Sequence, residues 1–119
     1  MPFFRDVVGQ DEAKRLLLGC AHDGKMPHAL LFAGKLGTGK LPLALALSRY
    51  LLCQHPDPED ACGKCPACKM MDRLAHPDLH FVFPIVKRKG GKDTVCDEYL
   101  SQWREMLERN AYVTLQQWM

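Results

Sequence analysis

The sequence lacks any run of about 18 apolar residues, so it offers no membrane-spanning helix. Its start, Met1-Pro2-Phe3-Phe4-Arg5-Asp6, lacks the charged-then-apolar order of a secretion signal. A cytoplasmic setting, with no membrane contact, is the resulting expectation. The chain also has little net charge, +2 over 119 residues, too small to argue for nucleic acid or membrane by itself. No internal repeat or low-complexity tract occurs. The carboxylates are scattered and suggest no catalytic pair, and no Ser/His/Asp or Cys/His arrangement suggests a nucleophile. What remains is an ordinary globular composition, 47% hydrophobic and 25% charged, long enough for one modest domain.

Against these absences stand six cysteines, many for the length. In a chain without a secretion signal, closely spaced cysteines point to metal rather than disulfides. Cys53, Cys62, Cys65 and Cys68 form C-x8-C-x2-C-x2-C. A C-x2-C pair presents two thiolates to one ion, with Gly63 and Pro66 helping the backbone turn. Four thiolates close a tetrahedral Zn2+ site of the structural kind. An iron–sulfur cluster, redox disulfides and reduced unliganded thiols are the competing readings. His55 and His76 lie nearby, but the fourth cysteine makes them unnecessary as ligands. Cys20 and Cys96 fall outside the pattern and read as packing residues.

The second feature is Gly34-Lys35-Leu36-Gly37-Thr38-Gly39-Lys40, which fits G-x-x-x-x-G-K. Glycines at Gly34, Gly37 and Gly39 let the backbone, Thr38 included, turn its N–H groups toward phosphate oxygens. A helix behind the loop adds its dipole, and Lys40 reaches the β- and γ-phosphates. The pattern then demands a Ser or Thr hydroxyl for Mg2+. This chain has Leu41, which cannot ligate a metal, and then Pro42, which has no N–H to donate. The loop therefore leaves ATP binding open and argues against Mg2+ and against hydrolysis.

Around these features the chain punctuates itself clearly. Gly9 to Asp23 reads as an amphipathic helix, with Ala13, Leu16, Leu17 and Cys20 on its apolar side. The apolar run 28–33 reads as a buried parallel strand. Lys40 to Cys53 is an apolar, largely buried helix. The region 53–75 forms a metal module with a short helix at 69–75, stopped ahead of Pro77. Residues 79–84 read as a second strand. Lys87 to Lys92 is a basic loop, and Asp97 caps a helix to about Asn110 with Leu100, Trp103, Met106 and Leu107 on one face. Trp103 and Phe81 fit packing better than base stacking. The final stretch from Ala111 begins a segment that Thr114 would cap, which suggests the front of a longer protein. The order strand, glycine loop, helix, insert, strand predicts an α/β fold of the P-loop NTPase kind, with a parallel sheet and an inserted four-cysteine zinc module.

Several stretches, taken in order, resemble the bacterial DNA polymerase III clamp-loader subunits, which are AAA+ proteins. They are Phe4-Arg5-Asp6-Val7-Val8-Gly9-Gln10, His28 to Gly34, Gly37-Thr38-Gly39-Lys40, Leu51-Leu52-Cys53, Cys62 to Cys68 and His76-Pro77-Asp78. The resemblance covers about residues 3 to 84. It implies that residues 1–119 are the N-terminal part of an AAA+ domain, that 53–75 are a zinc module, and that 85–119 are a lineage-specific insert. It also implies that Val7 and Val8 help form an adenine pocket. The family's machine uses ATP to open a sliding clamp and load it on primed DNA, so the implied partners are other clamp-loader subunits (gamma/tau, delta), the clamp and primed DNA. Leu41 and Pro42 place the chain with the subunit that has a decayed loop and acts as a stator. Such a subunit belongs to a polymerase holoenzyme yet neither polymerises nor hydrolyses ATP efficiently. An active gamma/tau-type ATPase and a zinc-knuckle nucleic-acid module using the basic loop are the alternative functions.

Overall fold

The computed structural model describes residues 2–85, 96–113 and 118. The described residues fold into four α-helices: α1 (Asp11–His22), α2 (Lys40–Leu52), α3 (Pro66–Asp72) and α4 (Leu100–Arg109). Short 3-10 turns at Phe4–Asp6 and Cys96–Tyr99 precede α1 and α4. The basic loop and the Thr114 cap lie outside the described residues.

Helix α1 starts with Asp11 and Glu12 in its first turn, where carboxylates favour the positive end of the dipole. It ends at Gly24, whose φ of +65° lets the chain reverse while the Lys25 N–H returns to the Cys20 carbonyl at 3.0 Å. Helix α2 is apolar nearly all round, and Pro42, Leu43, Leu45, Ala46, Leu47 and Tyr50 are buried along it. Pro42 is accommodated in the first turn, where its missing N–H would have had no intrahelical partner.

Helix α2 lies between two apolar clusters. Phe4, Val7, Leu17, Leu43, Ala46, Leu47 and Tyr50 form one, closed by α1 and the first 3-10 turn. Leu45, Leu74, Phe83, Trp103 and Leu107 form the other, under α4. In that second cluster Trp103 stacks on Phe83 at 4.5 Å between ring centroids and meets Phe81 edge-on at 6.0 Å, so both expected packing aromatics do pack. The cysteines and Ala61 and Ala67 make a third cluster at the C-terminal end of α2.

The strand expectations are corrected. Among the described residues there is no strand, and 28–33 carries no regular secondary structure. Leu31 is 91% exposed, and only Phe32 of this run packs on the first cluster. A parallel strand exists through hydrogen bonds to neighbours on its edges, and no described segment pairs with this one. Residues 79–84 keep the alternation of a strand, with Phe81 and Phe83 packed inward and Val82 93% exposed, but they too lack a pairing partner among the described residues. Leu16, expected on the inner face of α1, is 69% exposed, while Leu18 packs inward instead. Helix α3 begins earlier than expected because Cys65 serves as its N-cap, its sulfur accepting the Cys68 N–H, with Pro66 as the first helical residue.

Candidate metal centre and phosphate loop

The cysteine site is assembled from three pieces of chain. Cys53 closes α2, its N–H donating to the Arg49 carbonyl at 2.9 Å. Cys62 and Cys65 flank a knuckle in which Gly63 has a φ of +74°, a conformation that side chains disfavour. Cys68 sits in the first turn of α3. The four sulfurs all lie within 4.8 Å of one another. Cys53 Sγ is 3.5 Å from Cys62 Sγ and 3.9 Å from Cys65 Sγ. A tetrahedral Zn2+ with Zn–S bonds of about 2.3 Å requires sulfurs roughly 3.8 Å apart, so the donor set fits that ion.

The backbone around the cluster is arranged for thiolates. The Cys62 N–H donates to Cys53 Sγ, the Lys64 and Cys65 N–H groups to Cys62 Sγ, and the Cys68 N–H to Cys65 Sγ, each at 3.4 Å. Such donors favour the charged sulfur, and burial opposes it. Burial pushes the Cys68 thiol up to about 12 and also raises Cys53. For Cys65, burial is outweighed by N–H donors and neighbouring thiols, which hold it down at about 6. Cys62 is lowered chiefly by the Lys64 and Cys65 N–H groups.

Three further residues tie this centre to the rest of the fold, and sequence reasoning missed all of them. Arg49 is fully buried, pairs with Asp72, donates to the Cys68 carbonyl at 3.5 Å and lies 4.1 Å over the Phe3 ring. Phe3 in turn packs so closely on Gly63 that a Cβ there would meet its ring at 3.0 Å. Asp60 accepts from the N–H groups of Phe4 and Arg5, both at 3.2 Å, and of Ala61 at 2.9 Å. An aspartate two residues before Cys62 was the one available hint, since short carboxylates cap loops.

The glycine loop turns through Gly37 (φ +79°) and Gly39 (φ +93°), and Gly39 caps α2. Lys40 Nζ donates to the Gly34 carbonyl at 2.7 Å, and Thr38 Oγ1 to the Lys35 carbonyl at 2.9 Å. Gln10 Nε2 reaches the Thr38 carbonyl at 3.0 Å, joining the start of α1 to the loop. Of the two expected pocket valines, Val7 lies beside it, its Cγ1 3.4 Å from where a Cβ on Gly39 would stand, whereas Val8 is 80% exposed, and neither lines the cavity at the loop. Tyr112 covers the same glycine and accepts the Val8 N–H at 3.0 Å, another contact the sequence did not suggest. Loop residues Gly34, Thr38, Gly39 and Lys40 border a cavity of about 400 Å³ whose far wall is Leu16, Leu17 and Leu30 to Phe32. Leu41 packs on the second apolar cluster. The remaining expected packing residues behave so: Cys20 is half-buried, and Cys96 Sγ donates to the Phe83 carbonyl at 3.2 Å.

Residues 9–116 match the family model described as DNA polymerase III, delta subunit. The chain is 38% identical over 88 residues to the DNA polymerase III subunit delta' of Escherichia coli K12, covering 74% of this chain and 25% of that one. It is 40% identical over 75 residues to the Bacillus subtilis subunit delta', covering 63% and 22%. It is 35% identical over 90 residues to the gamma/tau subunit of Mycoplasma pneumoniae, covering 76% and 13%. The chain thus spans about a quarter or less of the length of these relatives. No solved structure matches it significantly. No described helix is long and apolar enough to cross a membrane. With a family model matched over almost its whole length, the chain belongs to the DNA polymerase III delta-subunit family, among the clamp-loader proteins.

Proposed function

We propose that the chain is the N-terminal part of a delta'-type clamp-loader subunit, an assembly partner in DNA replication rather than its motor. In this reading residues 1–119 open an AAA+ domain with a parallel sheet, and 53–75 are a structural zinc module. Cys53, Cys62, Cys65 and Cys68 hold one Zn2+. The loop from Gly34 to Lys40, with Val7 beside it, keeps the shape of a phosphate site and has lost the parts that turn over ATP. The partners are gamma/tau, delta, the sliding clamp and primed DNA, in the cytoplasm.

The observation that carries this reading is the pair Leu41-Pro42. Where a phosphate loop needs a hydroxyl for Mg2+, Leu41 supplies a hydrocarbon that packs on the second cluster. Where the loop could offer one more N–H, Pro42 has none. Phosphoryl transfer depends on the metal to neutralise charge, so binding can outlast hydrolysis here.

The test is clamp loading on primed DNA by a complex reconstituted from the full-length protein with gamma/tau and delta. Omitting the protein should abolish loading, and Lys40→Ala should leave loading intact. Likeness to gamma/tau proteins favours the second reading, an active ATPase. Loss of loading in the Lys40→Ala complex would establish that reading instead.

A further inference from the structure

Arg49 is the one charged side chain buried among the described residues, at 0% exposure, and it stands where α2 meets the cysteine centre. A guanidinium removed from water needs compensation. Its carboxylate partner Asp72 is 53% exposed, so solvent screens that charge. The Cys68 carbonyl and the face of Phe3 add partial negative charge. A zinc ion on four thiolates carries a formal net charge of −2, and three of these sulfurs belong to buried residues: Cys53, Cys65 and Cys68. The four N–H donors spread that charge but do not cancel it. A loaded centre is therefore an excess of negative charge, and Arg49 is a buried cation whose guanidinium donates to the main-chain carbonyl of one of its cysteines, Cys68, at 3.5 Å. Arg49 also touches the frame of two ligands, since its carbonyl takes the Cys53 N–H and its guanidinium donates to the Cys68 carbonyl.

We propose that Arg49 is the positioning and charge-balancing residue of the metal centre: it locks the ends of α2 and α3 at the spacing the ion needs and offsets the negative charge of the loaded thiolate cluster. The proposal rests on reading the cysteines as a zinc site. It goes beyond that reading by assigning a role to a residue outside the ligand set.

The test uses Arg49→Met, Arg49→Gln, Arg49→Lys and Asp72→Asn. Zn2+ affinity is read by competition with a colorimetric chelator, and the Co2+-loaded proteins give the sulfur-to-cobalt charge-transfer band. Loss of an outer partner of a metal ligand weakens binding by about ten- to a hundredfold. That loss is expected for Arg49→Met, and also for Arg49→Gln, which keeps a donor for the Cys68 carbonyl and carries the test if the Met variant does not fold. A nearby cation holds sulfur lone pairs low in energy, so both variants should move the band to lower energy. Arg49→Lys should restore the band and most of the affinity, and Asp72→Asn should cost less than Arg49→Gln. Wild-type affinity and an unmoved band in Arg49→Gln would overturn the proposal. So would a loss in Asp72→Asn equal to that in Arg49→Gln with the band unmoved in both, because that marks a mechanical strut. Wild-type protein that holds no zinc would overturn the metal reading itself, a failure visible before any variant is made.

Discussion

At the scale of single residues, the cysteine centre mixes thiols with opposed tendencies. Cys65 is held down at about 6 and is largely ionised at neutral pH, while burial keeps Cys68, at about 12, and Cys53 protonated. Zinc must therefore displace protons from Cys53 and Cys68 at pH 7, so binding tightens as pH rises and weakens as it falls. With at least these two protons displaced, the affinity should change by about a hundredfold or more per pH unit, a dependence read by chelator competition between pH 7 and pH 8. In the metal-free chain the same groups act on folding with opposite signs. The contribution of Cys68 is fully present below its ordinary value of 9.0 and is lost as pH climbs toward about 12. That of Cys65 is present above 9.0 and is lost as pH falls toward about 6. The gathering of the four cysteines was legible because their spacing is local. Arg49 was not: nothing local in Ser48-Arg49-Tyr50 marks it, and its contacts with α3 and Phe3 are non-local.

At the scale of elements, the helices were legible from period and punctuation, and the strands were not. Caps such as Gly24 act within a few residues, although the start of α3 at Cys65-Pro66 was missed by three residues, whereas a parallel strand is defined by partners distant in sequence, which periodicity cannot report. The N-terminal 3-10 turn is held in the same non-local way, by Asp60 from the loop before Cys62. Asp60→Ala leaves the Phe4 and Arg5 N–H groups without their carboxylate, and should cost about 1–3 kcal/mol in denaturant unfolding. Amide exchange at Phe4 and Val7 should quicken in the same variant. Helix α2 gives a second check at its first turn. Leu41→Thr restores the letter of the phosphate-loop pattern but removes apolar contact with the second cluster, so it should lower stability by about 1–2 kcal/mol. Turnover of ATP should stay at background, because Pro42 still withholds its N–H.

At the scale of the whole molecule, the described residues join two devices through one short segment. The cysteine cluster packs on Phe3 and, through Asp60, holds the amides of Phe4 and Arg5; Val7 follows and lies against Gly39 of the glycine loop. Zinc binding is folding energy wherever the site does not exist in the unfolded chain. Stripping the metal should therefore lower the unfolding temperature and loosen the third cluster first, as read by exchange at Ala61 and Ala67. The glycine loop keeps its turn, its lysine and the helix behind it, and Leu41 and Pro42 stand where the proposed function requires turnover to be lost. The most direct measurement is Mg2+-dependent ATP turnover by the purified full-length protein without other clamp-loader subunits. The expected rate is no higher than that of Lys40→Ala. Robust turnover that needs Mg2+ and disappears in Lys40→Ala would contradict it.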